Sequence, residues 1–339
     1  MNRSISRLIR MVIVVAILIM LVVFARDVNW NATWHVIKAS SIPLLIGAAL
    51  LNLASMVLKG LRWWVFLRAI GVSSPFLAIR ATFAGAGLNN VLLANGGEAA
   101  RVVFLSRTAH VPAARVLATL VLERFFEMAG YVVLLVTAAL ILELPQALRV
   151  VKLVAPAVLL IMAGLTWWLL RRSDAGAVTS SSEVSGWRAR LTMYKAHFGN
   201  TVASLSTGPR FLGAMLLSIA SWGLQVATYH VTAQATHLPM SLTATFAALL
   251  VVNLSFALRL APGNVGFFQL AYAGVAAAFG LGRDAAVATA FAIQAQQILP
   301  VTLIGVLLAP EFIFKARKRR ASDAVGTIPV ANREDARDA

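Results

Sequence analysis

No cysteine occurs in the 339 residues, which excludes disulfides, thiolate metal sites and cysteine nucleophiles. Histidine is scarce as well: His35, His110, His197, His230 and His237 are scattered and show no metal-ligand spacing such as H-E-x-x-H. Charged residues make up only 13% of the chain, and no glycine-rich loop follows a predicted strand, so a phosphate-binding loop for ATP is excluded too. These absences leave no cofactor to expect and no visible nucleophile or metal set for a membrane-embedded transferase. What fills the chain instead is apolar: 60% of residues are hydrophobic and the mean hydropathy is +0.81, too high for a soluble domain of this length.

The apolar runs recur from Leu8 to Pro310, so one cleaved signal peptide cannot explain them, and Met1 is expected to stay in the mature chain. A helix needs about 20 mostly apolar residues to cross the hydrocarbon layer. On that measure Leu8–Ala25, Ile42–Leu67, Ala113–Leu142, Val150–Leu170, Phe211–Ala235 and Ala285–Ala309 read as full spans. Two further stretches are broken at glycine. Phe76–Ala94 and Glu98–His110 flank Asn95-Gly96-Gly97, and Ser241–Leu260 and Val265–Leu281 flank Ala261-Pro262-Gly263-Asn264. Their limbs read as re-entrant hairpins, which survive at membrane depth only where protein or a water-filled cavity covers the irregular backbone. The expected fold is therefore an all-α, polytopic transmembrane helical bundle with about six full spans and two broken or re-entrant hairpins.

The formal charge of +17 would suggest nucleic acid in a soluble protein. Here the basic residues gather at the ends of apolar segments, so the positive-inside rule accounts for them and no nucleic-acid partner is expected. Arg3, Arg7 and Arg10 put the N-terminus in the cytoplasm, and Lys315 with Arg317–Arg320 does the same for the C-terminus. Residues 26–41 read as a short external loop with Trp30 and Trp34 as interfacial anchors. Lys59, Arg62 and Arg68 read as inner-end anchors, residues 171–209 as a cytoplasmic loop, and residues 316–339 as a disordered basic and polar tail. The membrane domain thus covers residues 1–315.

Residues 42–170 and 211–312 repeat a pattern of helix, glycine-broken hairpin and long helix. Ala118-Thr119 with Glu127 aligns without gaps on Ala288-Thr289 with Gln297. The two hairpins open to opposite sides in this topology, the inverted repeat common in transporters, whose sites lie near the bilayer midplane.

Charge inside the apolar stretches concentrates in one place. Glu98 and Arg101 are three apart on a helix, and Glu123 and Glu127 are four apart with Arg124 between them. Each charge at bilayer depth costs a few kcal/mol unless it is paired or solvated. Two readings stay open: a structural network in which Arg101 and Arg124 neutralise the carboxylates, or cations that hold an anionic group. The Gly96-Gly97 break also frees backbone N–H groups at a helix start, which favour anions, although Glu98 sits at that same start and competes. In the second half Arg259, Gly263, Asn264, Gly266 and Gln269 occupy the corresponding break, with Gln294, Gln296 and Gln297 nearby. Asn89, Asn90 and Asn253 lie within apolar runs, where they serve interhelical hydrogen bonds or line a site.

At these residues the chain resembles a known family, the transmembrane, flippase-like domain of lysylphosphatidylglycerol synthase and its stand-alone relatives. The resemblance rests on Asn90 followed by Gly97-Glu98-x-x-Arg101, then Glu123-Arg124, then Pro262-Gly263-x-x-Gly266. Two positions depart from the family pattern. Glu127 stands where an Asp is usual, which keeps the charge. Gln269 stands where a Glu is usual, which removes one, and with it the basis for a carboxylate role such as proton coupling there. Only residues 316–339 follow the last span, so the resemblance implies lipid handling without the aminoacyl transfer of the full synthase.

The expected function is translocation of an anionic lipid, a phospholipid or a polyprenyl-phosphate or related isoprenoid lipid, in the inner membrane, without enzymatic chemistry. Arg101, Arg124 and Arg259 would contact the head group, and Glu98 and Glu123 would position the cations. Glu127, Asn90, Gly96, Gly97, Gly263, Asn264, Gly266 and Gln269 would complete the lining. Arg101 is expected to be more sensitive to mutation than Arg259, with the site opening to the cytoplasm. The alternative is a non-catalytic accessory subunit that binds a lipid-modifying or envelope-glycolipid enzyme through residues 171–209 or the basic tail.

Overall fold

The computed structural model describes residues 28–91, 96–141, 208–255 and 266–325, together with Arg26, Ala157, Leu160, Gly164 and Asn264. Among the described residues there are nine α-helices and no strand. In chain order they are α1 (Trp30–Ala39), α2 (Ile42–Leu67), α3 (Pro75–Val91), α4 (Gly96–Ala109), α5 (Ala113–Ile141), α6 (Gly208–Ala235), α7 (Leu242–Ser255), α8 (Phe267–Ala278) and α9 (Arg283–Val325). The expected spans Leu8–Ala25 and Val150–Leu170, and nearly all of the loop 171–209, lie outside this set.

Among the described residues three stretches are long and apolar enough to cross a membrane: Ile42–Ile70, Pro209–Ala235 and Arg283–Leu308. The 29-residue α5 is as long, roughly 43 Å at 1.5 Å per residue, but carries its charges in the middle. By contrast α3, α4, α7 and α8 have 17, 14, 14 and 12 residues. These limbs reach only about 18–26 Å, short of a hydrocarbon layer of about 30 Å, and each packs on its hairpin partner.

Two parts of the chain are more helical than their sequence suggests. Residues 30–39 form α1 instead of a loop, because the Asn29 side chain caps the first turn by accepting from the Ala32 N–H at 3.1 Å. Trp30 and Trp34 remain exposed on it. At the other end α9 continues to Val325, through the first ten residues of the stretch read as a disordered tail. Once the span has nucleated the helix, each further Ala, Arg or Lys adds a turn bond at little cost.

The apolar side chains divide into two cores. One gathers Trp63, Phe66, Leu105, Val116 and Phe126 from α2, α4 and α5, with Ala78 and Ala81 of α3. The other gathers Tyr229, Leu249, Phe268, Tyr272 and Ile293 from α6 to α9. Ile46, Leu50, Leu303 and Leu307 stay on the outside, the apolar surface a lipid-facing bundle requires. Between the cores α2 packs along α6, and this seam is polar.

Candidate functional site

Small residues let charged ones reach the interior. At Gly97 a β-carbon would fall on the Gly85 carbonyl oxygen and against Asn89, and at Gly85 it would fall on the stem of Arg101. The limbs α3 and α4 therefore touch backbone to backbone, and the Arg101 stem lies across the bare Gly85 surface. A second glycine contact, Gly87 against Gly305, sets α3 directly on α9.

Three ion pairs form at this crossing, and their surroundings differ. Arg101 binds Glu123 through both terminal nitrogens, at 2.9 and 3.4 Å, and donates to the Thr82 hydroxyl at 3.2 Å. Its guanidinium stacks 4.0 Å from the centre of the Trp63 ring, whose own N–H donates to Thr119 at 3.0 Å. Both charged side chains are buried, 6% and 8% exposed. Glu127 is shared by two cations of α2: Lys59 at 3.1 Å and the buried Arg62. Arg62 also donates to the Ser218 hydroxyl at 3.0 Å. The third pair, Arg124 with Glu98, ties α5 to the first turn of α4 and is open, 51% and 27% exposed. Glu123 and Glu127 sit 10 and 14 residues into α5, about 15 and 21 Å along it, so the charges lie near the middle of that helix.

From Arg62 a ladder of hydroxyls and amides runs along the α2–α6 seam to α9. Ser55 donates to the Ser221 carbonyl, Gln225 donates to Ser55 and Asn52, and Gln297 donates to Gln225. Asn52 donates in turn to the Gln296 carbonyl at 3.1 Å. That acceptor is free because Pro300, four residues on, has no N–H to give it. Thr232 completes the link by donating to Gln296 Oε1 at 2.8 Å.

The residues singled out in the sequence are thus only partly gathered. Glu98, Arg101, Glu123, Arg124 and Glu127 come together, with Gly96 and Gly97 at the start of α4. Asn90 does not join them, since its amide donates to Thr302 of α9 at 3.0 Å. Asn89 caps α4 by accepting from the Gly97 N–H at 2.7 Å, which occupies a donor that an anion would otherwise use. Asn253 bonds back to Leu249 on its own helix. In the second hairpin Gln269 is fully used: its oxygen accepts from the Gly266 N–H and its amide donates to Gln294, both at 2.7 Å. A glutamate there could accept from Gly266 but not donate to Gln294. Asn264 is buried in the break, while Arg259 and Gly263 lie outside the described residues.

Lys59 and Arg62 join the charged cluster through Glu127, whereas the positive-inside reading places them at the inner end of the span. Arg62 is 1% exposed and belongs to the interior. Spacing was the available signal. Asn52, Ser55, Lys59 and Arg62 fall three, four and three apart, one polar face of a helix, and Ser218, Ser221, Gln225, Thr228, Thr232 and Thr236 repeat it on α6. Among the described residues no group of histidine and carboxylate side chains could hold a metal ion.

No curated protein gives a significant match to the chain. The profile of the lysylphosphatidylglycerol synthase transmembrane region, however, matches residues 9–305, most of the length, with Ile42–Ile70, Pro209–Ala235 and all but the last three residues of Arg283–Leu308 inside it. With its all-helical fold and its paired charges at depth, the chain is a multi-pass membrane protein that belongs to the lysylphosphatidylglycerol synthase transmembrane-region family.

Proposed function

We propose that this protein moves an anionic lipid, a phospholipid or polyprenyl-phosphate lipid, from one leaflet of the inner membrane to the other and carries out no covalent chemistry. Family membership ties the chain to lipid metabolism in a membrane. One observation carries the rest: among the described residues the cluster holds four cations, the buried Arg62 and Arg101 with the more open Lys59 and Arg124, against three carboxylates, Glu98, Glu123 and Glu127. An excess positive charge at depth is costly alone and is relieved by one phosphate. The buried Nε–H donors of Arg62 and Arg101 have no hydrogen-bond partner among the described residues, a cost of about 1–3 kcal/mol each that an acceptor removes.

The likeness of the two halves, read as an inverted repeat, supports movement rather than static binding. Glu127 with Lys59 on α2 is matched, 170 residues on, by Gln297 with Tyr229 on α6. Ser55 and Gln225, themselves 170 apart, bond each other at the seam. Such a seam between like halves is where alternating-access proteins rock. The basic residues near both ends support a cytoplasmic placement of the termini.

Flipping of a fluorescent phosphatidylglycerol into dithionite-protected leaflets of proteoliposomes tests this reading. Wild type is expected to accelerate it, and Lys59→Gln with Arg124→Gln to slow it about tenfold, the effect of roughly 1.4 kcal/mol. Undiminished flipping by the double variant would overturn the head-group assignment. No flipping by the pure wild type would favour the accessory role beside a lipid-modifying enzyme.

A further inference from the structure

The three ion pairs are not equivalent, and their difference assigns them different tasks in head-group binding. Arg101 is held at both terminal nitrogens, by two bonds to Glu123 and one to Thr82, with the Trp63 ring beneath it and only its Nε–H unbonded among the described residues. Freeing it would strand Glu123, itself 8% exposed, in the interior. Arg62 is nearly inaccessible and shares Glu127 with Lys59. Arg124 alone is half exposed, and its one bonded carboxylate, Glu98, is open too.

Glu98 can also be released cheaply. It lies in the first turn of α4, where the positive end of the helix stabilises a carboxylate even without a cation. Its exposure lets it be solvated on release. The two other carboxylates close to Arg124, Glu123 and Glu127, are already neutralised by Arg101 and by Lys59 with Arg62. Among the described residues Glu98 is therefore the one anion that an incoming phosphate must replace at Arg124.

We propose that Glu98 is the resident anion of Arg124, an internal competitor that the lipid phosphate displaces, so that the Arg124–Glu98 pair opens on loading and re-forms on release. This rests on the head-group reading above and deepens it: Arg124 is the exchangeable contact and Arg101 a fixed strut. The exchange also sets selectivity. A zwitterionic head group, whose own ammonium offsets its phosphate, gains less at Arg124 than Glu98 gives up.

The test is binding of short-chain phosphatidylglycerol and phosphatidylcholine to the purified full chain, with inorganic phosphate in a parallel arm. Wild type is expected to bind phosphatidylglycerol saturably and in preference to phosphatidylcholine. Glu98→Gln should tighten phosphatidylglycerol roughly two- to fivefold, the worth of one exposed ion pair. The gain should vanish when Arg124→Gln is also present. Tightening for lipid and inorganic phosphate alike means that Arg124 reads the phosphate itself; tightening for lipid alone means that it reads phosphate presented on a lipid, and either supports the exchange. Saturable wild-type binding that Glu98→Gln leaves unchanged or weakens overturns the exchange and leaves the head-group reading standing. So does a gain that persists beside Arg124→Gln, which would mark a general field effect. Absence of any preference for phosphatidylglycerol in wild type overturns the head-group reading and the exchange together. Glu98→Ala is measured alongside, with its melting profile, so that a folding defect in one variant is separated from the binding result.

Discussion

Arg101 and Arg124 are 23 positions apart and identical in chemistry, yet only one is built into the fold. Removing the Arg101 guanidinium leaves Glu123 buried without its partner, a loss of about 3–5 kcal/mol for such pairs. Arg101→Gln should therefore lower the melting temperature in detergent sharply, and Arg101→Gln with Glu123→Gln should recover part of it. Arg124→Gln, at a half-exposed pair, should cost at most about 1 kcal/mol while impairing lipid movement. A thermal scan of the three variants checks this ordering. The sequence announced Glu98, Arg101, Glu123, Arg124 and Glu127, because charge inside apolar runs is conspicuous. It did not distinguish strut from exchangeable contact, since burial depends on Trp63 and Thr82, which arrive from other helices. Lys59 and Arg62 were hidden for a related reason: a basic residue near a span's end looks the same whether it faces head groups or a carboxylate.

Among the helices, the close crossing of α3 and α4 determines where Arg101 can lie. Gly97→Ala should be poorly tolerated, with overpacking of about 1–3 kcal/mol, because its β-carbon would meet the Gly85 backbone and Asn89. Gly274→Ala, in open space on α8, should be neutral or slightly stabilising, since alanine favours helix. Melting of the two variants side by side separates packing from propensity. The hairpins were legible because glycine and proline interrupt apolar runs too short to span. Helix ends were less so. Residues 30–39 lack a long apolar run, and only the Asn29 cap reveals the helix. The reach of α9 to Val325 reflects propagation from a span into residues with no apolar pattern of their own.

Across the whole molecule, the two cores meet along a seam of hydroxyls and amides rather than apolar contacts. Such a seam is stabilised by hydrogen bonds that can be exchanged singly, whereas each core resists deformation as a packed unit. The likeness of Ala118-Thr119-Glu127 to Ala288-Thr289-Gln297 was visible in the sequence; that Lys59 and Tyr229, the partners of Glu127 and Gln297 on α2 and α6, also stand 170 apart was not, since it needs contacts. The halves are tied unequally, with α3 set on α9 through Gly87, Gly305 and the Asn90–Thr302 bond. Because the chain has no cysteine, that bond can be turned into a covalent lock without altering the background. A chain carrying Asn90→Cys and Thr302→Cys should form an intramolecular crosslink on oxidation. If α3 must leave α9 for a lipid to pass, flipping should stop in the oxidised protein and return with dithiothreitol; full activity of the crosslinked form would mean that the two helices travel as one piece.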